Sequence, residues 1–148
     1  MPVVEVRLRL EVSPAAAWDA VCDVESYPAY MENVRSVKIT DDTKRSNRIS
    51  AWSVFLKGSI LEWTESDQID DERRRIDFQQ VDGDLEHFAG YWQVIEADGP
   101  DSCEVVLYVD FEIGIPLLAD MLNPVAKTAL EDNSTKMLRG LEQRASAV

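Results

Sequence analysis

The chain has too few cysteines, histidines and cations for several kinds of chemistry. Its two cysteines, Cys22 and Cys103, fall in a predicted helix and a predicted strand with no metal-ligand spacing around them. They read as small buried hydrophobes in a reducing compartment. The single histidine, His87, is the one side chain with an unperturbed pKa near neutrality. It sits beside a turn, where a surface imidazole and a general base are both open readings. No Ser-His-Asp spacing, glycine-rich phosphate loop or metal cluster is present, so neither metal nor cofactor is expected. With 15 Lys and Arg against 28 Asp and Glu, the formal charge is −13. Such a charge repels phosphate backbones and anionic membrane surfaces, which argues against nucleic acid as a partner. No apolar run approaches the ~20 residues of a membrane span. "MPVVEVRLRLEV" alternates charged and apolar residues, unlike a signal or transit peptide. A cytoplasmic protein without stable membrane insertion is expected.

What the chain does have is material for one core. At 148 residues and 45% hydrophobic content, a single domain over residues 1–148 should remove roughly 70% of the extended chain's surface from water. In "VVEVRLRLEV", Val4, Val6, Leu8, Leu10 and Val12 alternate with charged residues, the period of a strand with one wet face. "SPAAAWDAVCDV" follows as a helix with Ser13 as N-cap and Pro14 in the first position. "ESYPAYMENV" reads as a second short helix or an irregular turn. Strands are then predicted at "VRSVKIT", "RISAWSVFL", "SILEWTESDQI", "RRIDFQQV", up to about Ile95, and "CEVVLYVDFEI", separated by polar turns that include Lys57-Gly58 and "DGD". After Pro116, Leu117, Leu118, Met121, Leu122, Val125, Leu130, Met137, Leu138 and Leu141 recur at helical spacing, with Pro124 expected to bend or restart the helix. Strands joined by short turns and followed by one long helix imply the α+β class: an antiparallel sheet of about seven strands with a helix covering one face.

A curved sheet around a helix leaves space for a small molecule. Alternation places Trp63, Glu65 and Asp67 on one face of their strand, Phe78 and Gln80 on one face of the next, and Phe88, Gly90 and Trp92 on another, with His87 and Tyr91 opposite. With Trp52, these aromatics read either as plain core or as the wall of a flat apolar ligand site. Glu65 and Asp67 share the proposed inward face, where carboxylates need partners; alternatively they reach a wet sheet rim. Tyr27 and Tyr30 flank Pro28 and read as packing or as a cavity mouth, and Asn133 in the long helix as exposed or as an amide turned to the cavity.

The succession of the opening strand, "SPAAAWDAVCDVESYPAYMENVRSV", "GSILEW", "GDLEHFAGYWQV" and the terminal "EDNSTKMLRGLEQR" resembles the START-related helix-grip superfamily, SRPBCC, over nearly the whole chain. That superfamily contains polyketide cyclases and aromatases, coenzyme Q-binding proteins and plant lipid carriers. The resemblance implies a curved sheet gripping a C-terminal helix and a hydrophobic ligand between them. Aromatase/cyclases of this kind carry an inward arginine a few residues after the "GSILEW" tryptophan; here the matching position is Asp67. Their tyrosine after the first Tyr-Pro pair falls near Val34, with Tyr30 the nearest substitute. Two functions follow as expectations. One is a cyclase or dehydratase in which Asp67 or Glu65 moves a proton, Tyr30 and Gln80 hold carbonyl oxygens, and Tyr27, Trp52, Trp63, Phe78, Phe88, Trp92, Met121 and Asn133 shape the substrate. The other is a carrier of a quinone or lipid with no catalysis. An acyl carrier protein is a possible partner of the first, and Arg73, Arg74 and Arg75 form the only compact basic patch to meet it, although a solvated turn explains them equally. The protein is expected as a monomer or homodimer.

Overall fold

The computed structural model describes residues 3–44, 46–56, 59–112 and 119–146. The chain begins with β1 (Val3–Leu10), whose alternation buries Val4 and Leu10 and turns Glu5, Arg7 and Arg9 outward. Ser13 then starts α1 (Pro14–Cys22): its Oγ accepts the Ala16 N–H at 3.1 Å, and Pro14 occupies the first turn, where no N–H is needed. The segment around Pro28 is a 3-10 helix, Val24–Ala29.

Six strands follow: β2 (Val34–Asp41), β3 (Arg48–Leu56), β4 (Ser59–Asp70), β5 (Arg75–Gly83), β6 (His87–Glu96) and β7 (Cys103–Glu112). Each of β2 to β6 pairs antiparallel with the next, and β1 returns to pair with β7, giving the order β1-β7-β6-β5-β4-β3-β2. The chain therefore leaves one edge of the sheet after β1 and reaches the other at β2 through α1 and the 3-10 helix. Last comes α2 (Ala119–Ser146), which packs against β1, β7, β3 and α1. Its Leu138 and Leu141 are fully buried. Pro124 does not restart this helix: it lies inside one continuous element, near its beginning. A proline there removes a single backbone bond from the ladder. The Lys57-Gly58 turn and the side chain of Met121 lie outside the described residues.

Two irregularities shape the concave face. Thr64 pairs with Asp82 and Glu65 with Gln80, so Val81 is an extra residue in β5 and is turned out to solvent. Such a bulge bends its strand. Pairing between β5 and β6 stops at Gln79 and Ala89, and the end of β5 departs from β6. Gly90 occupies a close approach: a Cβ there would stand 1.8 Å from the Tyr108 carbonyl oxygen and 2.9 Å from the Phe78 ring. Only glycine fits this crossing of strands.

Candidate functional site

Between the sheet and α2 lies a small cavity of about 50 Å³. Its walls are Trp52 and Val54 of β3, Leu61, Trp63 and Glu65 of β4, Phe78 of β5, Phe88 and Trp92 of β6, Leu107 and Val109 of β7, and the α2 residues Leu130, Asn133, Ser134 and Met137. Period-two alternation explains the sheet side. Trp52 faces Trp63 across the β3–β4 ladder, and their rings stack with centroids 5.7 Å apart and planes within 6°. Phe88 leans on Trp63 at 4.8 Å and on Phe78 at 5.7 Å. The result is a continuous aromatic surface with, among the described residues, one ionisable group in it, Glu65.

Glu65 and Asp67 do not reach a wet rim. They are 4% and 1% exposed. Trp63 Nε1 donates to Glu65 Oε1 at 2.7 Å. Asp67 Oδ2 accepts from Ser50 Oγ at 2.7 Å and from Arg48 Nε at 3.2 Å, while Arg48 Nη1 donates to the Cys22 carbonyl at 3.0 Å. Ser50 Oγ in turn accepts the Trp52 indole N–H at 2.9 Å. Burial, together with the neighbouring Asp67, pushes the Glu65 carboxyl well above the usual carboxylate range, against the smaller opposing pull of Trp63 and Arg48. Burial thus favours the protonated form of Glu65, which faces the cavity beside the Arg48–Asp67 ion pair.

Arg48 is the residue that reading the sequence passed over. It pairs with Asp67 in the β3–β4 register, so a cation does reach this region, from the adjacent strand. The signal was available: counting back by twos from Trp52 through Ser50 puts Arg48 on the inward face.

The remaining candidates are distributed as follows. Asp67 lies behind the wall, held by Arg48. Tyr27 is completely buried against Trp52 and Trp92, and its hydroxyl donates to the Val21 carbonyl at 2.6 Å; burial raises its pKa well above the ordinary value. Tyr30 packs edge-on to Tyr27 away from the cavity wall, and burial with Asp23 nearby pushes its hydroxyl up to about 12. Gln80 is also off the wall and donates through Nε2 to the Leu85 carbonyl at 2.6 Å. Asn133 touches the cavity while its amide donates to the Phe55 carbonyl at 2.8 Å, tying α2 to the end of β3. His87 is on the other face of the sheet, 3.6 Å from Asp110, and Tyr91 stacks on Tyr108 there. Arg75 folds back over the Tyr91 ring at 3.8 Å and binds Asp77, so the arginine triplet is not a uniform free patch. Among the described residues no group of three or more His, Cys, Asp or Glu is placed to hold a metal, and no helix is long and apolar enough to cross a membrane.

With this geometry in place, comparison with known proteins is informative. No curated protein matches the sequence. Among solved structures, a protein of Thermus thermophilus superposes with a TM-score of 0.91 at 25% identity, covering 99% of this chain and 98% of that one. The Zhui aromatase/cyclase from a Streptomyces species gives a TM-score of 0.83 at 21% identity over 97% and 93% of the two chains. A START superfamily protein from Mycobacterium smegmatis gives 0.81 at 18% identity over 97% and 96%. The latter two likenesses establish the helix-grip fold. The profile of the family described as "Polyketide cyclase / dehydrase and lipid transport" matches residues 10–138, six of the seven strands and most of α2, and the chain belongs to that family.

Proposed function

We propose that the cavity takes an oxygen-bearing apolar molecule of polyketide type and that Glu65 moves protons during its cyclisation and dehydration. The observation that carries this reading is the position of Glu65: among the described residues it is the only ionisable side chain in an otherwise uncharged wall. A buried carboxyl in an apolar wall has a desolvation cost that packing alone does not require. A raised pKa also keeps the proton available at neutral pH for donation.

The chemistry needs one such group. In aldol closure an enol carbon attacks a ketone carbon, the ketone oxygen takes the Glu65 proton, and the enol hydroxyl proton returns to the carboxylate. In the dehydration that follows, the carboxyl protonates the departing hydroxyl, the C–O bond breaks to release water, and the carboxylate removes the α-hydrogen as the double bond forms. The stacked Trp52 and Trp63 and the tilted Phe88 hold the chain folded, so that proximity supplies much of the rate.

The test is turnover of a poly-β-ketone by Glu65→Gln. The variant keeps the shape and is expected to bind the substrate with near-unchanged affinity while losing on the order of 100-fold or more in rate. Turnover equal to the parent would remove Glu65 from the chemistry. The family's description also covers lipid transport, and a quinone or lipid recovered unchanged from purified protein, bound equally by the Glu65→Gln variant, would favour the carrier.

A further inference from the structure

The two inward carboxyls of β4 and the arginine behind them form a unit. Asp67 Oδ2 already accepts two hydrogen bonds, from Arg48 and from Ser50. Asp67 Oδ1 is buried with no donor. Glu65, two residues earlier on the same face, is buried as well, and the neighbouring Asp67 adds to the upward push of burial on its carboxyl. Two neighbouring buried carboxyl groups disfavour a double negative charge, and as carboxylates both only accept, so a proton is needed for either to donate to the other. The cation is placed asymmetrically: Arg48 binds Asp67, whereas Glu65 is met by the neutral indole of Trp63.

We propose that Glu65 and Asp67 share a single proton, that Arg48 keeps the negative charge on Asp67 so the proton resides on the cavity-facing Glu65, and that the cavity therefore selects uncharged ligands bearing an acceptor oxygen. Arg48 and Asp67 are positioning residues in this scheme, acting through Glu65. It rests on the reading that this cavity holds the ligand, and it adds to that reading the ionisation state and the ligand class. The unit of Arg48, Asp67 and protonated Glu65 is neutral overall. A ligand ammonium or carboxylate entering the aromatic wall would leave its hydration without gaining an opposite free charge. A ketone, quinone or phenol oxygen meets a ready donor. Among the described residues, the other titratable side chains near the unit are Tyr27, from the 3-10 helix, and Cys22, at the end of α1, and neither supplies a second cation; β5 presents Gln80 and Phe78, and the α2 wall residues Leu130, Asn133, Ser134 and Met137 do not titrate.

Carbon-13 NMR of the full chain labelled at glutamate side-chain carboxyls tests the shared proton without any ligand. The Glu65 resonance is identified by its loss in Glu65→Gln. It is expected to titrate far above the surface glutamates, and in Asp67→Asn to move down by at least one pH unit, a tenfold loss of proton affinity. Asp67→Asn removes the shared acceptor and leaves Arg48 to favour ionised Glu65. Titration of Glu65 together with the surface glutamates in the parent protein overturns the proposal even if Asp67→Asn fails to fold. Ligand class is read with acetophenone, benzylamine and benzoate at pH 7, monitored by the same spectra. Acetophenone is expected to bind at least tenfold more tightly than either ion, and equal binding of benzylamine or benzoate overturns the selection. The titration contains no substrate, so loss of the catalytic reading and loss of the shared proton give different results.

Discussion

Glu65 links stability to pH in a direction opposite to that of an exposed, salt-bridged carboxylate. Its folded-state pKa lies well above that of the unfolded chain, which is about 4.3. Below that value both states hold the proton and stability is unaffected. As pH rises through it, the unfolded chain releases the proton while the folded chain keeps it, so stability falls until the folded-state pKa is passed and then levels. Glu65→Gln cannot ionise, and its amide can still donate to Asp67 and accept from Trp63. Urea unfolding at a series of pH values from 5 to 8 is therefore expected to show the variant gaining on the parent as pH rises; parallel profiles would refute the buried-acid assignment. At this scale the sequence was only partly legible. Alternation placed Glu65 and Asp67 inward, but whether they met water or protein depended on how far the sheet curled, which no local pattern carries. Arg48 was legible by the same alternation, counted back by twos from Trp52.

The elements were legible wherever a local rule fixed them. Ser13 followed by Pro14 and a run of alanines specifies the start of α1, and the cap bond to Ala16 is formed as the residue types require. Ser13→Ala is expected to cost about 1 kcal/mol of global stability, the usual value of an N-cap side chain. Equilibrium denaturation should report it as a lower midpoint with unchanged slope, and no change would mean that this end of α1 is held by packing alone. Ser13→Asp, which restores an acceptor, should recover most of the loss. Less legible were features that depend on two elements at once. The extra residue Val81 in β5 and the close crossing at Gly90 arise from strand-to-strand geometry, and a glycine at 90 is demanded by the Tyr108 backbone. Likewise the proline in α2 was expected to bend or restart the helix, yet so near the N-terminus it removes one ladder bond that the rest of a 28-residue helix outweighs.

For the whole molecule, the order of strands and helices carried the architecture, since strands joined by short turns can scarcely pair otherwise than as a meander. The size of the cavity was not legible, because it is the small residual between two nearly matching surfaces. Charge was plain from composition. A net charge of −13 on a chain of 148 residues makes the compact state repel itself. The described surface pairs, such as Arg7 with Glu104 and Arg9 with Glu11, are exposed and contribute little, so screening should relieve more repulsion than it removes attraction. Raising ionic strength from about 0.01 M to about 0.15 M shortens the Debye length from about 30 Å to about 8 Å. The melting temperature should therefore rise with sodium chloride. The Arg48–Asp67–Glu65 unit is shielded from those ions by burial, so the stability difference between Glu65→Gln and the parent at one pH should stay constant across the salt series. A difference that shrinks with salt would mean that water and ions reach Glu65, and the dry aromatic cavity would have to be redrawn as an open groove.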